Sequence, residues 1–189
     1  MTYYEGILLS SNKFINVSAA GADVDEDIIR LNIYSPSDSA RNLRVGSRFT
    51  FSLSQSLELF YKASLTGHDK PETAELSSDE ILEENGYYYP KETTKTYFCK
   101  VTGIEEKEGK DEYGAYRIKK ITAEINSEKG EEKYITRKNP YLDSMVYASR
   151  IPISNEEQRK KLRKKVNSLL KDKNDDLAKR IKSYVTGEN

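Results

Sequence analysis

The sequence predicts a mainly β, α+β protein: a strand-built body followed by an antiparallel pair of amphipathic helices. Three observations carry this. Up to Asn126 the chain holds short runs of alternating apolar and polar residues, bounded by Gly, Pro, Ser and Asn. Residues 155–189 place apolar side chains at helical spacing behind capping signals. The aromatic content is 14 Tyr and 5 Phe with no Trp, a bias that suits half-buried strand and interface positions.

Tyr3 to Ser10 is apolar and β-prone, Ser11-Asn12-Lys13 reads as a turn, and Phe14 to Ala20 continues as a second strand. Gly21 to Asp27 reads as an acidic turn. Ile28 to Tyr34 alternates, with Ile29, Leu31 and Ile33 on one face and Arg30 and Asn32 on the other. Ser35-Pro36-Ser37-Asp38 ends that strand, and Ser37 or Asp38 is a suitable N-cap for a short helix through Arg44, closed by Gly46. Arg48 to Ser54 alternates again, with Phe49, Phe51 and Leu53 together. From Thr66 to Glu92 the pattern gives way to a polar, acidic stretch. There Ser77-Ser78-Asp79-Glu80 has capping-box form and Asn85-Gly86 reads as a stop, so a short helix is expected near Asp79 to Glu84. Thr94 to Ile104 and Tyr113 to Asn126 are two long β-prone runs joined by the charged link Glu105 to Glu112, an extended hairpin.

The remainder is helical. Asn139 to Arg150 forms one helix. Ser154-Asn155-Glu156-Glu157 caps a second, with Leu162, Val166, Leu169 and Leu170 at helical spacing; Leu177, Ile181, Tyr184 and Val185 repeat that spacing in a third. The last two should pair as a hairpin. The expected division is a barrel-type body over residues 1–138 and a helical region over 139–189 packed on it.

Charge excludes several functions. The chain has 189 residues, 31 Lys and Arg against 31 Asp and Glu, and a net charge of zero, which does not suit coating nucleic acid or an anionic membrane. No run approaches the ~18 apolar residues of a membrane helix. Met1 to Ser10 has no Lys or Arg, unlike a secretory signal, so a cytoplasmic protein is expected. A single cysteine, Cys99, excludes an internal disulfide and a thiolate metal cluster, and a single histidine, His68, argues against His-based metal sites and triads. Residues 155–189 carry 11 Lys and Arg against 6 Asp and Glu, a local net of +5. The run Arg159-Lys160-Lys161-Leu162-Arg163-Lys164-Lys165 has no interleaved aromatic residue for base stacking, so it reads as a solvated face or one docked on the acidic part of the chain.

Phosphate-binding glycine loops of the P-loop or Rossmann type are absent. What remains is a set of small polar residues at strand ends: Asn16-Val17-Ser18-Ala19-Ala20-Gly21, and Tyr34 to Leu43 running from a strand into a helix start. Hydroxyls and backbone N–H groups at such a turn suit a phosphate, and Arg41 or Arg44 would add charge.

The order Asn16-x-x-Ala19-x-Gly21, Tyr34 to Leu43, Leu59-Phe60, and Asn139 followed by Val146-Tyr147-Ala148-Ser149-Arg150 resembles an archaeal family. That family is catalogued as domain of unknown function 447, within the FMN-binding split-barrel superfamily, and the resemblance spans nearly the whole chain. It implies a six-stranded Greek-key split β-barrel with a C-terminal helical hairpin, a homodimer, and FMN held where two subunits meet. By position it implies that Asn16, Ser18 and Ala19 line the flavin through side chain or backbone. Tyr34 also belongs to the implied site, Ser37, Ser39 and Asn42 hold the phosphate, and Arg150 supports the site from the late helix. Two positions depart from the family pattern: Ala19 stands where members carry Pro, and Asp38 where they carry a basic residue. An inward Asp38 would oppose a flavin phosphate. The third strand, with Ser52, Leu53 and Ser54, lacks the family's Asn residues. The expected function is an FMN-binding flavoprotein, in its enzymatic form an oxidoreductase. The competing reading is a binding module without FMN that contacts RNA or protein through the basic hairpin.

Overall fold

In the computed structural model, residues 1–11, 15–35, 37–66, 75–111 and 114–187 are described. Strand β1 (Thr2–Ser11) is buried continuously from Tyr4 to Ser10 because both of its faces are covered. Leu8 points into one apolar cluster, while Ile7 and Leu9 point into another. The first cluster fills a barrel and the second joins the barrel's outside to the helices. β2 (Ile15–Asp25), β3 (Ile28–Tyr34), β4 (Arg48–Leu53), β7 (Lys95–Asp111) and β8 (Gly114–Gly130) complete that barrel with β1. It is closed and antiparallel in the order β1-β2-β3-β8-β7-β4. The jump of β4 back to pair with β1 is the Greek-key step.

Alternation sorts the side chains. Ile29, Leu31 and Ile33 of β3 and Phe49, Phe51 and Leu53 of β4 all fill the barrel, as the sequence pattern requires. The short helix α1 (Asp38–Asn42) stops before Arg44. It is followed by Leu43, which is buried in the barrel cluster with Ala40.

Three local expectations are corrected. The acidic turn is tighter than Gly21 to Asp27: β2 runs to Asp25, which pairs with Ile28, and Glu26 takes the left-handed conformation at φ 46°. The expected helix near Asp79 to Glu84 is a single 3-10 turn (Ser78–Glu80), after which β5 (Ile81–Glu84) pairs with β6 (Tyr87–Pro90). Asn85 and Gly86 both have positive φ, 54° and 78°, so the pair forms a tight hairpin turn. The charged link is itself strand, because β7 and β8 stay paired out to Asp111 and Gly114. Asn12, Lys13, Pro36 and His68 lie outside the described residues.

The helices cover one side of the barrel. α2 (Leu57–Leu65), capped by Ser56, was not marked by the sequence pattern; it buries Leu59, Phe60 and Ala63. α3 (Pro140–Ala148) starts at Asn139, whose side chain accepts from the N–H groups of Tyr141 and Leu142. α4 (Glu156–Leu169) has a capping box made by Asn155 and Gln158, and α5 (Asp176–Thr186) is capped by Asp175. The Arg163 Nε donates to the Val185 carbonyl at 3.0 Å, so the end of α5 returns beside the first half of α4 as an antiparallel hairpin. Leu142, Met145, Leu162, Val166, Leu170, Ile181 and Val185 pack with Ile7, Leu9 and Val17 in one cluster.

Candidate functional site

The candidate site begins at the start of β2. Residues of one parity on β2 face inward, so Asn16, Ser18 and Ala20 lie on the barrel side while Val17 and Ala19 face the helices. Ser39 of α1 is buried against that inner side. Its Oγ accepts from Asn16 Nδ2 at 2.8 Å and lies 2.7 Å from Ser18 Oγ. Beside this trio, Asn42 Nδ2 donates to Ser10 Oγ at 3.4 Å, and Ser10 is the register partner of Asn16. Strand pairing and one helical turn thus gather two amides and three hydroxyls from three segments.

Other expected residues sit around this cluster. Ser37 caps α1: its Oγ donates to the Tyr34 carbonyl at 2.7 Å and accepts from Ala40 N–H at 3.2 Å, which engages it within its own turn. Arg150, just beyond α3, places its guanidinium 5.3 Å from the Tyr34 ring centroid and pairs with Asp111 at 2.7 Å. Burial pushes the Tyr34 hydroxyl pKa up, and the Arg150 charge works against that rise. Ala19 is the exception among the expected residues, since its side chain packs toward the helices. Only its backbone remains on offer to a ligand.

The charge distribution suits an anion. Asp38 is turned outward, with 59% of its side chain exposed, and pairs with Arg41 one turn later. It therefore does not point into the Asn16–Ser18–Ser39 cluster; among the described residues the nearby carboxylate is that of Glu75, which accepts from the Val17 N–H between Asn16 and Ser18 at 3.1 Å. Lys119 of β8 reaches the same turn and donates to the Ala40 carbonyl at 2.9 Å. The Ser35 Oγ is shielded from solvent and has no hydrogen-bond partner among the described residues. A buried hydroxyl of this kind is costly unless something satisfies it. Donor-rich chemistry, an outward acid and an orphaned hydroxyl together fit a phosphorylated ligand.

Sequence reasoning missed Ser10, Lys119 and Asp111. Ser10 becomes visible once β1 and β2 are paired, whereas Lys119 and Asp111 depend on the β7–β8 register. Cys99 is buried and its thiol is pushed up by burial alone, as expected of a packed rather than reactive cysteine. Part of the basic run of α4 is turned onto its own chain: Arg159 Nε donates to the Ile151 carbonyl at 3.1 Å, and Lys165 lies 5.5 Å from the Tyr147 ring centroid. Among the described residues no group of His, Cys, Asp and Glu could hold a metal ion, and no helix is long and apolar enough to cross a membrane.

No family model and no curated protein matches the sequence. Solved structures do resemble the fold. An FMN-bound protein of the domain-of-unknown-function 447 family from Methanosarcina mazei aligns at TM-score 0.68 and 14% identity, over 99% of this chain and 95% of that one. An NADH:FAD oxidoreductase from Streptomyces globisporus aligns at TM-score 0.54 and 10% identity, over 69% of this chain and 77% of its own. A flavin reductase domain protein from Arthrobacter gives TM-score 0.54 and 11% identity, over 70% and 80%. At such identities the likeness establishes architecture, which is the split barrel; the Methanosarcina protein matches the terminal helices as well.

Proposed function

We propose that this chain is an FMN-binding split-barrel flavoprotein. The observation that carries the reading is the Asn16–Ser18–Ser39 cluster, the polar side chains of two strand residues and one helix residue converging on one hydroxyl. It occurs in a fold whose near full-length structural neighbour is FMN-bound. In this reading Asn16, Ser18 and Ser39 exchange their mutual hydrogen bonds for phosphate oxygens, and Asn42 and Ser35 supply further donors. Such charge-assisted bonds are stronger than the neutral ones they replace. Ser37 holds the turn in shape as its cap. Arg150 and Lys119 supply positive charge, and the Tyr34 ring under Arg150 offers a flat face beside it. Bound FMN would supply one- and two-electron redox chemistry, the protein contributing position and electrostatics.

Two copies of the chain, each completing the other's flavin site, form the assembly we propose, and oxidoreductase activity is the function it would serve. The test is titration of the purified protein with FMN, followed by flavin fluorescence and by thermal denaturation. Saturable quenching with a rise in melting temperature is expected, together with a mass in solution of twice 21.7 kDa. A melting temperature indifferent to millimolar FMN would overturn the reading.

A further inference from the structure

A second recess lies beside the β5–β6 ribbon. It is a cleft of about 240 Å3 between the end of β1, the start of β4 and the β5–β6 turn, lined by Ser10, Ser47, Arg48, Phe49, Tyr87 and Tyr88. We propose that this cleft binds a small planar carboxylate of the arene carboxylate class.

Its two kinds of lining match the two ends of such a molecule. Arg48 presents a planar guanidinium, the group best shaped for two-point contact with a carboxylate. One of its nitrogens donates to the Asn85 carbonyl at 3.3 Å, and its remaining N–H groups donate to no described residue. Ser10 accepts the long bond from Asn42, and its own hydroxyl hydrogen likewise has no acceptor among the described residues. Among the described residues no Asp or Glu lines the cleft. Tyr87 and Tyr88 add aromatic surface that suits a flat ring, beside Leu9, Ser11, Ser47 and Gly86, while Phe49 is buried toward the barrel. The volume is below the range usual for drug-sized ligands and suits a single-ring molecule.

The walls are already fixed. Thr50 Oγ1 donates to the Tyr88 carbonyl at 2.6 Å, Asn126 Nδ2 donates to the Tyr87 hydroxyl at 2.9 Å, and Tyr87 packs edge-on against Phe98 at 5.4 Å. The Arg48 guanidinium rests 5.5 Å from the Tyr87 ring centroid. A Cβ at Gly86 would meet Arg48 Nη1 at 3.4 Å, an ordinary contact, and it is the φ of 78° that suits glycine to that turn position. Little ordering cost therefore remains for the ligand to meet. This also gives a part of the tyrosine excess a task that the cofactor does not use.

The inference needs the cleft and not the cofactor, so it is tested on the whole chain without FMN. Calorimetric titration with benzoate is expected to show one site per chain. Benzamide keeps the ring without the charge, and cyclohexanecarboxylate keeps the charge without the flat ring; each should bind about tenfold more weakly or worse. Arg48→Ala should weaken benzoate by a similar factor and Arg48→Lys by less, because lysine keeps the charge but not the fork. Ring resonances of Tyr87 and Tyr88 should shift on titration. Absence of benzoate binding at millimolar concentration, unchanged affinity in Arg48→Ala, or shifts confined to other tyrosines would each overturn the proposal. Should Arg48→Ala fail to fold, the comparison of the three ligands and the ring shifts on the wild type decide it.

Discussion

Replacing Ser39 with alanine separates two contributions of one hydroxyl. Ser39 is 2% exposed, and its Oγ is the common partner of Asn16 and Ser18. Without it the Asn16 amide and Ser18 hydroxyl lose their partner in a buried setting, at a cost of about 1–3 kcal/mol. For a chain of this length that lowers the melting temperature by about 2–12 °C. If the same hydroxyl holds the flavin phosphate, a charge-assisted hydrogen bond contributing about 1.5–3 kcal/mol disappears as well. The FMN dissociation constant should then rise about 10- to 100-fold. Fluorescence titration measures the second quantity and scanning calorimetry the first, on the same sample. Ser37→Ala is the matched comparison. It removes a helix cap worth about 1 kcal/mol and should leave affinity within about threefold, since Ser37 is engaged with Tyr34 and Ala40. A Ser39→Ala protein with lowered stability and wild-type FMN affinity would refute the assignment of the cluster to the phosphate.

Leu142→Ala empties a fully buried position between α3 and the barrel and should cost about 3 kcal/mol, read as a loss of urea midpoint at unchanged slope. Glu80 is held down to about 2 chiefly by its hydrogen bond from Lys62 at 2.5 Å, with Ser77 adding to the effect. A depressed carboxyl contributes stability above its unfolded pKa of about 4.3 and loses it as pH falls toward 2. Glu80→Gln should therefore destabilise by under about 1 kcal/mol at neutral pH, the pair being about a third exposed, and by progressively less as pH falls from about 4 through about 2 when followed by urea titration. Cys99 should resist thiol reagents in the native protein and react at the rate of unfolding, measured by mass spectrometry in increasing denaturant.

What the sequence made legible follows from where each segment buries its side chains. β3 and β4 have one face in the barrel, so Ile29, Leu31, Ile33, Phe49, Phe51 and Leu53 announce both strand and orientation. The outer part of the β7–β8 hairpin carries no such mark, because both of its faces are largely polar. The available signal was charge in register: Glu105, Glu106 and Glu108 stand opposite Lys120, Lys119 and Arg117. Asn85-Gly86 is ambiguous by nature, since a left-handed residue ends a helix and also makes a two-residue hairpin. The helix α2 carried a readable signal in Ser56 followed by Leu59, Phe60 and Ala63, which lay beyond the strand-like pattern of β4. At the candidate site, Asn16, Ser18, Ser39 and Asn42 entered through the family resemblance, and strand pairing with α1 brings their side chains together. Ser10 entered only through strand register, and the outward pose of Asp38 only through its pairing with Arg41.

Closure of the barrel has a consequence for self-association. With β4 bonded to β1 and to β7, the ring of six strands has no outermost member, although β7 beyond Val101 is paired with β8 alone. The small β5–β6 ribbon keeps a free edge as well, and its β5 is mostly exposed and carries Glu83 and Glu84. Neighbouring copies stacked on that ribbon would bring like charges together, which opposes unwanted polymerisation through main-chain bonds there.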